Sequence, residues 1–126
     1  MPFPLFLHRF LSFGRRAEIQ AINHLRSLGF RIVTAGYRIN TGEIDVIAWE
    51  GDVLVFVEVK ARQNDEPPED AVGFNKQQRM RRAAQAYISK HHLHEVQYRF
   101  DILAVTARPR VRPEFRLLRD AFNMYN

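Results

Sequence analysis

Three ionisable residues stand in the most apolar part of this sequence. The run Val53-Leu54-Val55-Phe56-Val57 ends in Glu58-Val59-Lys60, and the run from Ile44 to Trp49 encloses Asp45. In an extended chain alternate residues share a face, so Glu58 and Lys60 project the same way. If Gly51-Asp52 is the whole of a hairpin loop, Trp49 faces Leu54 and Ile47 faces Phe56. Counting back in the same register, Asp45 faces Glu58 and Glu43 faces Lys60. Opposed side chains start about 5 Å apart at Cβ, close enough for two carboxylates to share one cation. Without a cation, two carboxylates in an apolar sheet are costly. Oxygen ligands with open positions suit Mg²⁺ or Mn²⁺ rather than zinc. Such an ion polarises a phosphate oxygen and lowers the pKa of a bound water. Lys60 would steer that water or stabilise charge on the pentavalent phosphate. These are the parts of a phosphodiester hydrolase. The bland alternative is a strand-end salt-bridge cluster in which Glu58 balances Lys60; the spacing and the apolar setting favour the reaction site.

Other groups belong to the same expectation more loosely. Glu18 shares a helix line with Ile22 and Leu25, at the margin of a buried stripe, and is a third acid for the site. Alternatively it is a solvated acid that suits a helix start. Lys76 and Gln77 stand in the first turn of a second helix, in line with Met80 and Ala84, and could reach the same pocket. His91, His92 and His94 invite a zinc site, but cations are expected at a helix C-terminus in any case. Trp49 and Tyr37 could stack on bases, with core packing the stronger reading for Trp49. Asp101 is expected to pair with an arginine such as Arg99.

The elements that must position these groups are legible from periodicity. Gly14 to Leu28 reads as an amphipathic helix with Ala17, Ala21, Leu25 and Leu28 on one line and Gly29 as its stop. Phe30 to Thr34 is a short strand, and Ala35 to Gly42 a turn-rich stretch. Strands follow at Glu43 to Trp49 and Val53 to Lys60. The second of these, apolar on both faces, marks a central strand covered on both sides. Gln63 to Gly73, with two prolines and four acids, reads as a mobile loop. Asn75 can cap a helix reaching about Lys90, with Met80, Ala83, Ala84, Tyr87 and Ile88 as its buried stripe and Arg79, Arg81 and Arg82 largely off it. Tyr98 to Val105 is a strand, Arg108 to Pro113 a connector, and Glu114 to Leu118 an edge strand. The order predicts an α/β sandwich with a mixed sheet, α-β-β-β-α-β-β.

Composition bounds the rest. At 126 residues the chain has the size of one domain, read as an apolar arm at 1–13 and a single domain at 14–126. The absence of cysteine excludes a disulfide framework and a thiolate metal site, and it suits a reducing compartment. Of 19 cationic residues only Lys60, Lys76 and Lys90 are lysine, and the net charge is +5. Arginine's planar fork suits phosphate, so nucleic acid is the expected partner, with acidic membrane surfaces second. Met1 to Phe13 is apolar but broken by His8 and Arg9, far short of a membrane span and unlike a signal peptide. It reads as a docking or disordered arm of a cytoplasmic protein.

The stretch Gly42-Glu43-Ile44-Asp45-Val46-Ile47-Ala48, followed by Val57-Glu58-Val59-Lys60-Ala61-Arg62, resembles the PD-(D/E)XK nuclease superfamily. That superfamily has an acid on one strand and acid-x-lysine on the next; Ile44 stands where its name has proline. The sequence is more closely similar to the YraN-like family of small bacterial proteins. The resemblance extends to the Glu18 helix, Lys76-Gln77 with Arg79, Arg99-Phe100-Asp101, and Asp120-Ala121-Phe122. It implies a restriction-endonuclease-like fold, Asp45 and Glu58 as metal-binding acids, Lys60 as the catalytic lysine, and Glu18 as the helical acid of the resolvase-like branch. The expectation is a nucleic-acid-binding protein, DNA ahead of RNA, that hydrolyses phosphodiesters with Mg²⁺ or Mn²⁺, with branched or damaged DNA among its substrates. Arg38, Arg62, Lys76, Gln77, Arg79 and Arg82 are its expected nucleic-acid contacts. A non-catalytic binding module on the same scaffold is the alternative, and a homodimer is left open.

Overall fold

A computed structural model describes residues 13–63 and 72–125, the side chains of 13–15 excepted. The apolar arm expected at the N-terminus therefore lies outside the described residues but for Phe13, as does most of the Gln63–Gly73 loop. Helix α1 (Phe13–Ser27) leads into strands β1 (Arg31–Ile39), β2 (Gly42–Glu50) and β3 (Val53–Gln63). Helix α2 (Phe74–Lys90) is followed by β4 (Tyr98–Ala107) and β5 (Glu114–Phe122). The strands form one sheet in the order β1-β2-β3-β4-β5. All neighbours are antiparallel except β3 and β4, which are parallel. A parallel pair needs a crossover, and α2 supplies it. This is the α-β-β-β-α-β-β mixed-sheet architecture that the order of elements predicts. No helix among the described residues is long and apolar enough to cross a membrane.

The central strand explains its own sequence. Leu54, Val55, Phe56 and Val57 are fully buried. Val55 and Val57 pack into the α1 layer with Ala17, Ala21 and Leu25. Leu54 and Phe56 pack into the α2 layer with Met80, Ala84 and Tyr87. Each face has its own helix, so the strand is apolar throughout. Glu58 and Lys60 continue the Leu54–Phe56 series, on the α2 side.

Local boundaries depart from expectation where long-range pairing decides. β1 runs on to Ile39 through the stretch read as turn, because Ala35, Tyr37 and Ile39 pair with Val46, Ile44 and Gly42 of β2. Gly36 permits this with φ +76°. Helix α2 is capped not by Asn75 but by Gly73, whose carbonyl accepts the Gln77 amide at 3.0 Å. Arg81 is not off the buried stripe. It is 4% exposed, lies over the Phe122 ring, and donates to the Asn123 carbonyl at 2.7 Å. The C-terminal chain folds over it and supplies partners that helix periodicity cannot show.

Asp101 pairs with Arg99 as expected. Its carboxylate, 0% exposed, accepts both Nε and Nη2 of Arg99, at 2.9 and 3.0 Å. It also accepts the Asp120 amide at 3.0 Å, where the β4–β5 register shifts and Asp120 has φ +55°. Glu50 extends the network to Arg99 and Arg119. Hydrogen bonds from Arg119, with Arg99 beside it, hold the Glu50 carboxyl down at about 2 despite its partial burial.

Candidate metal centre

The Gly51-Asp52 turn sets β2 against β3 in the register read from sequence, with Ile47 opposite Phe56 and Trp49 opposite Leu54. The ladder runs from Glu50–Val53 to Val46–Val57. At the next position a side chain takes over: Val59 N–H donates to Asp45 Oδ2 at 2.8 Å. That bond fixes the Asp45 carboxylate where the β2–β3 pairing stops, beside Glu58.

Glu58 is the more enclosed of the two acids. Its side chain is 14% exposed, and Oε1 is buried with no hydrogen-bond partner, 3.5 Å from Lys76 Nζ. Burial pushes the Glu58 carboxyl up to about 9, the charge and hydrogen bond of Asp45 add to the rise, and Lys76 offsets only part of it. In the absence of another cation, burial and the neighbouring Asp45 therefore favour the protonated form of Glu58. A buried carboxyl driven towards its protonated form beside a second carboxyl, with one oxygen free of hydrogen bonds, fits a hard divalent cation in the proton's place. Lys60 lies partly buried on β3 one alternation further on, level with Ala104 of β4.

Helix α2 brings the cations. Its first turn places Lys76 Nζ 3.4 Å from Glu43 Oε1 as well as near Glu58. Burial pulls the Lys76 pKa down, but Glu58, Asp45 and Glu43 together hold it above the ordinary lysine value. Glu43 gathers Arg38 at 2.9 Å and Arg79 at 3.3 Å besides Lys76. Burial pushes its carboxyl up, yet Lys76 and Arg38 hold it below the usual range. The helix comes this close because residue 42 is glycine: a Cβ there would lie 2.0 Å from the Arg79 carbonyl oxygen. Glu43 as the collector of three cations was not read from sequence. The available signal was its place two residues before Asp45, on the same face of β2.

The remaining expected site residues are placed as follows. Glu18 is partly buried on α1, whose apolar stripe lies in the Val55–Val57 layer. Among the described residues no group of three or more His, Cys, Asp or Glu is placed to hold a metal. The two acids shown in contact are Asp45 and Glu58, and His91, His92 and His94 form no such group. Gln77 secures the helix start, donating to the Val72 carbonyl at 2.8 Å and accepting from Arg81 at 2.9 Å. Arg62 is 7% exposed. Arg38, Arg79 and Arg82 are exposed.

A profile described as "Uncharacterised protein family UPF0102" matches residues 17–105, from within α1 through most of β4. The UPF0102 protein of Syntrophus aciditrophicus is 39% identical over 113 residues, 88% of either chain. That of Geotalea uraniireducens is 36% identical, covering 90% of this chain and 91% of the relative. That of Lachnoclostridium phytofermentans is 38% identical, covering 89% and 93%. The chain belongs to the UPF0102, or YraN-like, family.

Proposed function

We propose that this protein binds nucleic acid in the cytoplasm and hydrolyses phosphodiesters at the Asp45–Glu58 pair with Mg²⁺ or Mn²⁺. The observation that carries the reading is the buried, hydrogen-bond-free Oε1 of Glu58 beside a second carboxylate. The large majority of buried side-chain oxygens are hydrogen-bonded, so this one calls for an explanation. The resemblance of Asp45, Glu58 and Lys60 to the acid, acid-x-lysine set of PD-(D/E)XK nucleases supports the same conclusion.

An ion held here would supply Lewis acidity toward a phosphate oxygen and an activated water. The protein's part is positioning. The Val59 amide orients Asp45, and Lys76 limits the charge that Glu58 must carry. Lys60 stabilises charge that develops on the phosphate. Arg38, Arg79 and Arg82, exposed around the acid pair or along α2, hold the flanking phosphates. DNA, branched or damaged, is the favoured substrate.

The test is purified protein with Mg²⁺ or Mn²⁺ against linear, flapped and four-way-junction DNA. Cleavage by the wild type that is lost in both Lys60→Ala and Glu58→Gln is the expected outcome. Cleavage that survives both changes would contradict the assignment of the centre. Binding without cleavage on every substrate would favour a non-catalytic module on the same scaffold.

A further inference from the structure

The far end of α2 and the C-terminal chain enclose a second space, about 330 Å³, within the size range of small-ligand pockets. Ile88 and Met124 give it apolar surface, Tyr98 and Tyr125 two aromatic rings, and Gln85 and His94 polar groups. The Tyr98 ring is held edge-on by Phe56 and Phe100, at centroid distances of 6.4 and 6.1 Å. Tyr125 is 75% exposed. The two phenols are neighbours: burial pushes the Tyr98 pKa up, and Tyr125 adds to it. A further void of about 240 Å³ shares Tyr98, Met124 and Tyr125, so open space flanks these rings on more than one side.

A polar track joins this cavity to the acid pair. Asn75, Arg79, Arg82, Gln85 and Ser89 are all exposed and recur at helical spacing, so they form one line along α2. The line starts where Arg79 meets Glu43 and ends at the cavity, which Gln85 and Ser89 line. From Arg79 to Ser89 it covers about 15 Å at 1.5 Å per residue. The sheet gives a similar span: Tyr98 pairs with Leu54, which precedes Glu58 on β3 by about 13 Å at 3.3 Å per residue. A stacked nucleic-acid strand advances about 3.4 Å per nucleotide, so the cavity lies roughly four nucleotides from the acid pair.

We propose that this cavity receives one unpaired base of the strand held at the acid pair, with Arg79 and Arg82 on the phosphates between. The inference rests on the nucleic-acid reading above. The chemistry of the lining selects the occupant. A base has π faces for the tyrosines and a polar edge for Gln85 and His94, two kinds of contact that an aliphatic ligand cannot make. Arg79 and Arg82 on the track leading away suit a polyanion and not a neutral peptide. Sequence preference is weak, because every base offers a π face.

The test uses the full chain in chelator, so that nothing is cleaved. Single-stranded DNA, single-stranded RNA and fully paired duplex DNA are each titrated, the single strands carrying one fluorescent base analogue. The wild type is expected to bind the single strands more tightly than duplex and to quench the analogue. Tyr125→Ala should weaken single-strand binding roughly tenfold and abolish the quench, while duplex binding is unchanged. Tyr125→Phe keeps the ring and should keep both signals. Because Tyr125 is exposed, neither change threatens the fold. The DNA and RNA arms show which backbone the track accepts. Duplex binding with no effect of Tyr125→Ala on single strands would overturn the base pocket and leave the nucleic-acid reading standing. Equal losses on single strand and duplex would likewise overturn it. Failure of the wild type to bind any of the three would overturn both.

Discussion

Asp45 Oδ2 accepts the backbone N–H of Val59 at 2.8 Å, one position past the last backbone pair of the β2–β3 ladder. A side chain thus does what a strand carbonyl does elsewhere in the sheet, and it does so at the centre of the acid pair. Asparagine retains an oxygen acceptor for that amide, whereas alanine does not. Asp45→Ala should therefore cost about 1–3 kcal/mol in chelator through the orphaned amide. Asp45→Asn should be neutral or stabilising, by up to about 1–2 kcal/mol, because it relieves the carboxylate beside Glu58. Denaturant melts of the two variants check this; equal destabilisation by both would refute it.

Stability should fall with pH at Glu58. Its carboxyl is raised by burial and by Asp45 from an ordinary 4.5 to about 9. Between those values the folded state holds a proton that the unfolded state has lost. The contribution of this group is therefore fully present below 4.5 and is lost as pH rises towards about 9. Glu58→Gln, which cannot ionise, should gain on the wild type progressively across that window in chelator. A pH-independent difference between the two proteins would count against the buried, proton-retaining pair.

The approach of α2 to β2 depends on Gly42. A methyl group there would sit 2.0 Å from the Arg79 backbone oxygen, and backbone cannot swing aside as a side-chain end can. Gly42→Ala should destabilise by about 1–3 kcal/mol and should separate Lys76 from Glu43 and Glu58. Thermal melts give the first effect, and loss of cleavage at a temperature where the variant is still folded gives the second.

The Arg99–Asp101 pair lies on β4, with Asp101 level with Val57 of β3. Asp101 is fully buried, so Arg99→Ala leaves a charge without its bidentate partner and should cost on the order of 3–5 kcal/mol. The neighbouring Glu50 behaves in the opposite sense to Glu58. Hydrogen bonds from Arg119, aided by Arg99, lower its carboxyl to about 2, so its stabilisation is present above 4.5 and lost as pH falls towards about 2. Wild type and Glu50→Gln should therefore converge in acid melts.

Nucleic-acid affinity should fall with salt. On duplex DNA the slope of log K against log salt should be about −0.9 for each phosphate contact. Arg79→Gln and Arg82→Gln should each reduce the slope by roughly one contact. A slope unchanged by both substitutions would remove α2 from the interface.

What was legible in the sequence was local. The Gly51-Asp52 turn and strict alternation fix the Ile47–Phe56 pairing, and the two-faced apolar run identifies β3 as central. What was missed depends on distant partners. Ala35 to Gly42 reads as turn-rich, yet pairing with β2 draws β1 through to Ile39. Arg81 looks solvated by helix periodicity and is buried because residues 122 and 123 fold across it. Asp45 and Glu58 announce themselves by being acids in apolar strands. Glu43 has no such contrast with its surroundings, and Lys76, expected from its helix position to reach the same pocket, does so through the closure of α2 on β2.

The central claim is that Asp45 and Glu58 together hold a divalent cation in the folded protein, and thermal melts of wild type, Asp45→Asn and Glu58→Gln test it without reference to any substrate. An ion that binds only the folded state stabilises it by mass action, about 2.7 kcal/mol at roughly 100 times Kd. The wild type should melt higher in millimolar Mn²⁺ or Mg²⁺ than in chelator, and both variants should lose most of that gain. A wild type indifferent to both ions, or variants stabilised as much as the wild type, would contradict the account.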